Sequence, residues 1–288
     1  VKGKIGNTTT TFFPDADVES TSVDGQLDIE TATWAGSHDA AAGDAARPSG
    51  ATLSTRARLL AGNYFISRNI VLFDTSSLPD TDSIDSATFS LASTGTATNN
   101  VDTSTVDVVS SSPASNTDLV VGDFDQVGTT VFGDIAISAI NATADVYNDI
   151  TLNADGRNNI SKTGVSKFGN RISRDTDNVA PTGDNSWDQR SAETAGTTSD
   201  PKLVVVHSAG NLSVSVNDSI TVAESIVMLL QSFINVNDSI TVTENINISF
   251  VFSVNVFDSI SVTESVTLTV FANINVSDSI TVTEATTM

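Results

Sequence analysis

The chain has 288 residues, of which 39% are hydrophobic, and it carries a formal net charge of −22 at pH 7. This length and hydrophobic content are enough for one large folded domain and a further region. The negative charge would repel nucleic acid, and the chain has no Lys/Arg cluster, so nucleic acid is not an expected partner. The chain has no cysteine, so disulfides, zinc–thiolate sites and thiol nucleophiles are excluded as well.

Thr, Ser, Asn, Asp, Val and Ile are abundant along the whole chain, whereas Lys, Leu and Glu are sparse. This composition favours strands and polar turns, so the expected class is all-β. The character of the sequence changes near Gly210, after which no Lys, Arg, Gly or Pro occurs. We therefore expect a jelly-roll β-sandwich over residues 1–209 and a region of four β repeats, as stacked strands or a β-solenoid, over residues 210–288.

Short apolar segments of the first region are separated by Gly, Pro, Asn, Asp and Ser, a pattern typical of sandwich strands. The clearest of these segments are residues 64–66, 70–73, 87–91 and 203–206. Two other segments, residues 135–141 and 159–163, are expected to form helical turns or short helices between strands.

The segment 70–73 predicts a central strand, because both of its faces are apolar. Alternate side chains of a strand point to opposite sides, so Ile70 and Leu72 share one face while Val71 and Phe73 share the other. A strand that is apolar on both faces is expected to lie between two layers of the core.

Two charged residues flank this strand, and both are expected to have structural roles. Asp74 would end the strand by accepting backbone N–H hydrogen bonds from the turn that follows. Arg68, which precedes the apolar segment, would pair with Asp74 or with another acid at the edge of the core.

Three motifs of the first region come in a familiar order. They are Phe13-Pro14-Asp15-Ala16-Asp17, then Arg68-Asn69-Ile70-Val71-Leu72-Phe73-Asp74-Thr75-Ser76-Ser77-Leu78-Pro79, then Ile84-Asp85-Ser86-Ala87-Thr88-Phe89-Ser90-Leu91. Over about residues 10–207 this order resembles the DNRLRE-type jelly-roll domains, which look like carbohydrate-binding modules. The resemblance implies a two-sheet jelly roll of secreted, cell-surface or phage-associated proteins, usually a non-catalytic accessory. The whole chain is also similar to repeat-bearing proteins of environmental bacteria and their phages.

One phrase occurs four times in the second region, at a constant spacing of twenty residues. Its copies start at Asp218, Asp238, Asp258 and Asp278. Even-numbered positions carry nearly every aliphatic residue, and odd positions carry mostly Ser, Thr and Asn. Such alternation predicts strands, and because twenty is even, the inward face keeps its phase from one copy to the next. A fixed period of this length is typical of stacked β architectures.

Two acids per repeat interrupt the aliphatic face, and we expect them at corners, because an unpaired carboxylate is costly in an apolar layer. Stacking would align identical carboxylates, which repel unless other groups offset them. Hydrogen bonds from hydroxyl and backbone groups are one explanation, and a ladder of bound Ca²⁺ is the alternative; otherwise no cofactor is expected. The acids are Asp218, Asp238, Asp258, Asp278, Glu224, Glu244, Glu264 and Glu284.

Five phenylalanines lie in or beside the longer segments of the repeats, and some of them fall on odd positions. Either they cover a wider core, or they bury against another copy of the chain. Strands with exposed edges would also pair with a second copy. The expected assembly residues are Phe233, Phe250, Phe252, Phe257 and Phe271.

The sequence gives no catalytic signature. Its two histidines, His38 and His207, lie in different contexts, and nucleophile-elbow, phosphate-loop and His-rich metal motifs are missing. We therefore expect a non-enzymatic structural subunit of an extracellular assembly, at a cell or virion surface, that associates with copies of itself. No run reaches the roughly 18 apolar residues of a membrane helix, so membrane insertion is not expected.

The alternative is a glycan-binding adhesin in which the first region binds a sugar and the repeats are a spacer. Sugar sites typically stack an aromatic ring against the sugar face. The candidates for this role are Trp34, Tyr64, Tyr147 and Trp187.

Overall fold

The computed structural model describes residues 7–99, residues 103–209 and ten short strands between residues 214 and 282. The chain divides into two units, Val1–Ala209 and Gly210–Met288.

Strands are the main regular structure of the described part of the first unit, and its few helices are single turns, which confirms the all-β class. The strands are β1 (Thr8–Phe12), β2 (Asp24–Thr31), β3 (Ala45–Arg47), β4 (Thr52–Leu60), β5 (Asn63–Asp74), β6 (Asp82–Asn99), β7 (Thr105–Ser111), β8 (Val127–Ala136), β9 (Tyr147–Thr151), β10 (Val165–Ile172), β11 (Asp184–Arg190) and β12 (Lys202–Ala209). The α-helices are α1 (Trp34–His38), α2 (Ala154–Asn158) and α3 (Ser173–Thr176), and 3₁₀ turns span Val121–Gln126 and Ile137–Ala139.

All strand pairs described in this unit are antiparallel, and they form one curled sheet in the order β1-β12-β6-β11-β4-β5-β10-β7-β8, to which β2, β3 and β9 are attached. The long strand β6 joins the two halves of the sheet, because it pairs first with β12 and further along with β11. Within β6, Gly95 has a φ of +118°, a conformation that side chains with a Cβ rarely adopt. The register of β6 against β11 shifts between Ser93 and Ala97, so this irregularity coincides with a conformation that favours glycine.

The curl encloses a hydrophobic core that takes side chains from both halves of the sheet. Four phenylalanine rings lie at its centre, with Phe168 next to Phe73, Phe89 and Phe132 at centroid distances of 6.2, 5.8 and 6.1 Å. The edge-on and tilted arrangements of these rings are those that aromatic pairs prefer.

A second hydrophobic cluster lies on the other face of β5. Ile70 and Leu72 belong to this cluster, whereas Val71 and Phe73 belong to the main core, and all four side chains are fully buried. The prediction of a strand buried on both faces is therefore confirmed. On its two edges β5 pairs with β2, and with β4 and β10 in succession.

The two helical predictions are only partly correct. In the segment 135–141, β8 continues to Ala136 and a 3₁₀ turn covers Ile137–Ala139. In place of a helix over 159–163, α2 spans Ala154–Asn158, just before that segment. It begins there because the side chain of Asn153 accepts a hydrogen bond from the Gly156 N–H at 3.0 Å and caps the first turn.

The described strands of the second unit are short and parallel. One sheet contains Val214–Val216, Ile234–Val236, Val254–Val256 and Ile274–Val276; a second contains Ile220–Val222, Ile240–Val242, Ile260–Val262 and Ile280–Val282; a third contains Ile246–Phe250 and Val266–Val270. Every pairing joins residues twenty apart, as in Ile220 with Ile240. Equivalent residues of successive repeats are thus neighbours in the backbone ladders.

Replacing Phe168 by Ala is expected to lower the free energy of unfolding of the first unit by roughly 3–5 kcal/mol, because it opens a cavity among four packed rings. Guanidinium unfolding followed by tryptophan fluorescence measures this, since Trp34 and Trp187 both lie in the first unit. Val179→Ala is the matched control, because Val179 is 44% exposed, and its effect should stay within about 0.5 kcal/mol. Equal effects of the two substitutions would contradict this description of the core.

Candidate functional site

The predicted assembly and metal residues of the repeats are not placed by the structure. Phe250 ends the strand Ile246–Phe250, for which the backbone alone is described. The remaining residues lie outside the described part of the chain: Phe233, Phe252, Phe257, Phe271, Asp218, Asp238, Asp258, Asp278, Glu224, Glu244, Glu264 and Glu284. Their roles stay predictions.

Two of the four predicted sugar-stacking residues meet at the surface of the first unit. The rings of Trp34 and Tyr64 contact each other edge to face, with centroids 5.8 Å apart, and both residues are partly exposed. His38, at the end of the same helical turn, lies 5.4 Å from the Trp34 ring. We call Trp34, His38 and Tyr64 the aromatic platform.

Local hydrogen bonds hold the platform in place. The Thr33 side chain caps α1 by accepting a hydrogen bond from the Gly36 N–H at 3.2 Å. The Trp34 indole Nε1–H donates to Asn178 Oδ1 at 2.8 Å. Partly exposed rings beside an amide group can bind a ligand that has both apolar faces and hydroxyls.

The other two predicted sugar-stacking residues lie elsewhere in the first unit. Trp187 is fully buried in the main core, and its Nε1–H donates to Ser93 Oγ at 2.9 Å. This corrects the expectation for Trp187, whose hydrophobic surface is used in packing. The Lys202 ammonium lies 3.6 Å from the centroid of the Tyr147 ring, which it covers on one face.

A buried ion network lies beneath the platform. Asp175, on α3, accepts hydrogen bonds from Arg68 Nε and Nη2 at 2.8 and 2.9 Å and from Arg171 Nε at 2.7 Å. Arg68 also donates to the carbonyl oxygens of His38 and Phe124, both at 2.9 Å. The prediction that Arg68 pairs with an acid is confirmed, and the acid is Asp175. The network thereby ties α1 to α3.

The network joins one buried carboxylate to two buried guanidinium groups, so its charges offset one another only in part. Burial by itself raises the pKa of Asp175, but the hydrogen bonds and charges of Arg68 and Arg171 outweigh burial and hold that pKa below its ordinary value. The Arg68 guanidinium also lies over the Phe124 ring, 4.1 Å from its centroid. This arrangement is structural, because every guanidinium nitrogen of Arg68 and Arg171 already has a hydrogen-bond partner within the protein.

The second histidine takes part in a row of polar side chains across three strands. His207 Nε2 lies 3.0 Å from Thr10 Oγ1, and His207 Nδ1 lies 2.6 Å from Asp82 Oδ2. The three residues belong to the neighbouring strands β12, β1 and β6. Although hydroxyl, imidazole and carboxylate come in the order of a catalytic triad, the contacts run across a sheet and join its strands.

Asp74 has the structural role that the sequence predicts. Its Oδ1 accepts a hydrogen bond from the Ser76 N–H at 3.0 Å, at the end of β5. The neighbouring Thr75 hydroxyl donates to the Ser161 carbonyl at 2.6 Å. This turn therefore ends the strand and joins it to the loop before β10.

Comparison with known proteins gives no family for this chain. No protein-family model matches it, and no curated protein matches it either. The likeness to DNRLRE-type domains stays a prediction from three motifs. In the described ranges, the structure contains no helix that is long and apolar enough to cross a membrane.

Asp175→Asn is expected to destabilise the first unit by about 3–5 kcal/mol at neutral pH, because it leaves two buried guanidinium groups without their counter-charge. Because the folded-state pKa of Asp175 is lowered, its contribution is present above the ordinary carboxyl pKa and is lost as the pH falls through the folded value. The gap to wild type should therefore be constant near neutrality and close in strong acid. Fluorescence-detected unfolding at several pH values measures it.

The matched control for this substitution is Asp80→Asn, at an exposed position in the turn before β6. It should leave stability unchanged within about 0.5 kcal/mol. If Asp175→Asn were equally mild, the network would not be the anchor of α1 and α3.

Proposed function

We propose that this protein is a non-enzymatic structural subunit of an extracellular assembly, a surface filament or a virion appendage, which associates with itself through its second unit. The observation that carries the proposal is the pairing of backbone strands at a constant offset of twenty residues. When a chain repeats one strand-forming phrase at this offset, it gains the most stability if successive repeats stack on one another. On this proposal the repeats form stacked strands or a β-solenoid, and the first unit is a jelly roll carried by them.

The ends of the parallel ladders suggest how copies would join. The first ladder ends on Val214–Val216 and Ile274–Val276, and the second on Ile220–Val222 and Ile280–Val282. Terminal strands have unpaired backbone groups on one edge, and these groups can pair with another chain. Because all repeats carry the same phrase, the last repeat of one copy can pair with the first repeat of the next copy.

This joining is head to tail, and a head-to-tail contact continues indefinitely unless its rotation closes a ring. The proposed product is therefore a filament or an elongated oligomer. The aromatic residues predicted for assembly, such as Phe257 and Phe271, would add apolar contacts along its sides. Bound Ca²⁺ at the repeat acids stays the alternative to hydroxyl and backbone hydrogen bonds.

The proposed junction predicts its own register. Thr221 pairs with Thr241, and Ser261 pairs with Thr281, so Thr281 of one copy would face Thr221 of the next. The double variant Thr221→Lys/Thr281→Lys places two like charges at strand spacing, about 4.8 Å, at every junction. We expect it to lower the mass of the assembly severalfold in sedimentation velocity and to shorten filaments in electron microscopy.

The charge-paired variant Thr221→Lys/Thr281→Glu is the matched control for the double lysine variant. It changes the same two positions but places opposite charges at the junction, so assembly should recover and weaken again in high salt. Wild-type chain that stays monomeric at all concentrations, or two variants that assemble equally, would argue against the head-to-tail junction.

A second candidate function, the glycan-binding adhesin, is favoured by the aromatic platform. Trp34 and Tyr64 are partly exposed and adjacent, with the amide of Asn178 and the imidazole of His38 beside them. A sugar could stack its apolar face on Trp34 while its hydroxyls reach the Asn178 amide. Both ring nitrogens of His38 are already paired, with Asp39 Oδ1 and with the Asp175 carbonyl oxygen, so His38 contributes only its ring. The repeats would then serve as a spacer.

Trp34→Ala is expected to abolish glycan binding by the full chain, because it removes the stacking surface, and a glycan array followed by calorimetry on the best ligand measures it. Tyr147→Phe is the matched control, since it removes an aromatic hydroxyl that donates to the Asp200 carbonyl, away from the platform. Equal binding by wild type and Trp34→Ala would remove the platform as the binding site.

A further inference from the structure

The sequence contains a single Asp–Pro peptide bond, Asp200–Pro201, which ends the loop before β12. In such a pair the side-chain carboxyl group can attack the carbonyl carbon of its own residue, because the ring that forms has five atoms. Proline favours this reaction, since its nitrogen carries no N–H in the peptide and leaves as a secondary amine. Carboxyl groups also serve as nucleophiles in protein active sites. The surroundings of this bond therefore decide whether the reaction is promoted.

The structure places a hydrogen-bond donor on the carbonyl group of this bond. The hydroxyl of Tyr147, on β9, donates to the Asp200 carbonyl oxygen at 2.8 Å. Tyr147 is held by its backbone pairing with Ala92 of β6 and by the Lys202 ammonium, which lies 3.6 Å from the centroid of its ring. A donor at this oxygen stabilises the negative charge that develops there when a nucleophile attacks the carbonyl carbon.

The Asp200 side chain is buried but is not used in a structural network. Asp200 is 4% exposed, and its Oδ1 atom has no hydrogen-bond partner. This is unusual, because nearly all buried polar groups of folded proteins are paired. The buried Asp175, in contrast, accepts three hydrogen bonds from arginines. The Asp200 carboxyl group is therefore free to act as a nucleophile through Oδ1.

The neighbouring groups keep both the carboxyl group and the phenol protonated in mild acid. Burial and the Glu193 charge raise the pKa of Asp200 to about 6. Burial, with the charges of Asp200 and Asp149, raises the pKa of Tyr147 to about 12, so its hydroxyl keeps its proton. The titratable groups that act on Asp200 or on Tyr147 are Asp24, Asp149, Glu193 and Lys202.

We propose that the first unit cleaves its own chain between Asp200 and Pro201, with the Asp200 carboxyl group as nucleophile and the Tyr147 hydroxyl as donor to the scissile carbonyl oxygen. A carboxyl oxygen forms a bond to the Asp200 carbonyl carbon, the bond from this carbon to the Pro201 nitrogen breaks, and the carboxyl proton moves to that nitrogen. Water then opens the cyclic anhydride, which leaves Asp200 as a C-terminus and Pro201 as an N-terminus. The overall reaction consumes one water molecule and nothing else.

The sheet would hold the two products together after cleavage. Pro201 directly precedes β12, which pairs with β1 on one edge and with β6 on the other. Leu203 and Val205 of β12 are also buried in the main core. The repeats would thus stay attached to residues 1–200 by noncovalent contacts in place of a peptide bond. The reaction occurs once per chain, so it adds to the proposed structural function and does not depend on it.

The test incubates the purified full chain at about pH 5.5, where most Asp200 side chains are protonated. Denaturing electrophoresis and intact-mass spectrometry should show two fragments, residues 1–200 and 201–288, whose masses add up to that of the chain plus one water. The same incubation in guanidinium chloride removes the Tyr147 contact and the raised pKa, so the folded chain should be cut at least about tenfold faster. An uncut folded chain, or equal rates in both solutions, would overturn the proposal.

Tyr147→Phe separates a catalytic role of this hydroxyl from a structural one. It keeps the ring and removes the donor, so cleavage should slow by roughly a hundredfold. Asp200→Asn has no carboxyl group at the bond and should give no fragments under the same conditions. Asp125→Asn, at an exposed position in the Val121–Gln126 turn, should be cut as fast as wild type. A folded Tyr147→Phe chain that is cut at the wild-type rate would show that the assigned site is wrong.

The pH profile gives a readout that a merely structural contact would not move. The rate should be constant well below the pKa of Asp200 and fall about tenfold per pH unit above it, because the protonated carboxyl group supplies the proton that the leaving nitrogen takes up. Glu193→Gln removes a charge that helps to raise this pKa, so the fall should begin at a lower pH. This variant keeps the proposal testable if Tyr147→Phe does not fold. A rate that rises steadily with acidity and ignores Glu193→Gln would indicate ordinary acid hydrolysis and refute the assignment.

Discussion

Burial of β5 on both faces is the constraint from which the arrangement of the first unit follows. Val71 and Phe73 pack in the main core, while Ile70 and Leu72 pack in the second cluster. Both faces of β5 are apolar, so each of them has to be covered by other side chains. The sheet therefore continues on both edges of β5, and further residues cover the face that points away from the main core. The segment around the Val121–Gln126 turn, which contributes Phe124, provides part of that cover.

This constraint also determines where charge can be placed. Arg68 lies on the face of β5 that points to the second cluster, so its guanidinium is buried and requires a buried acid. Asp175 meets that requirement and also pairs with Arg171, and the carbonyl oxygens of His38 and Phe124 accept further hydrogen bonds from Arg68. The aromatic platform thus rests on a helical turn whose backbone is fixed by an ion network. Asp24 is also buried, but its neighbours are acids, and burial together with their charges raises its pKa well above the ordinary value.

The two units obtain their stability from different kinds of contact. The first unit relies on long-range antiparallel pairing around one curled sheet, in which β1 pairs with β12 near the other end of the unit. In the second unit, each described strand pairs with a strand twenty residues away. A nearest-neighbour architecture has no intrinsic end, which is why association between copies is a natural extension of it.

The sequence by itself determined the features that depend on local pattern. Alternation and turn residues are enough to predict the all-β class, the two buried faces of the 70–73 segment and the turn capped by Asp74, because each depends on residues close in the chain. The helix at Ala154–Asn158 could have been found from the same kind of signal, the cap at Asn153.

Only the tertiary structure decided which distant residues meet. Asp175 lies 107 positions from Arg68, and Asp24 lies 168 positions from Ala192, and no spacing rule links residues so far apart. Trp187 and Trp34 are chemically identical in the sequence, yet one is enclosed by the curled sheet and the other is partly exposed. Whether an aromatic ring or a carboxylate packs, pairs or stays available depends on the sheet that closes over it, and closure is a property of the whole fold.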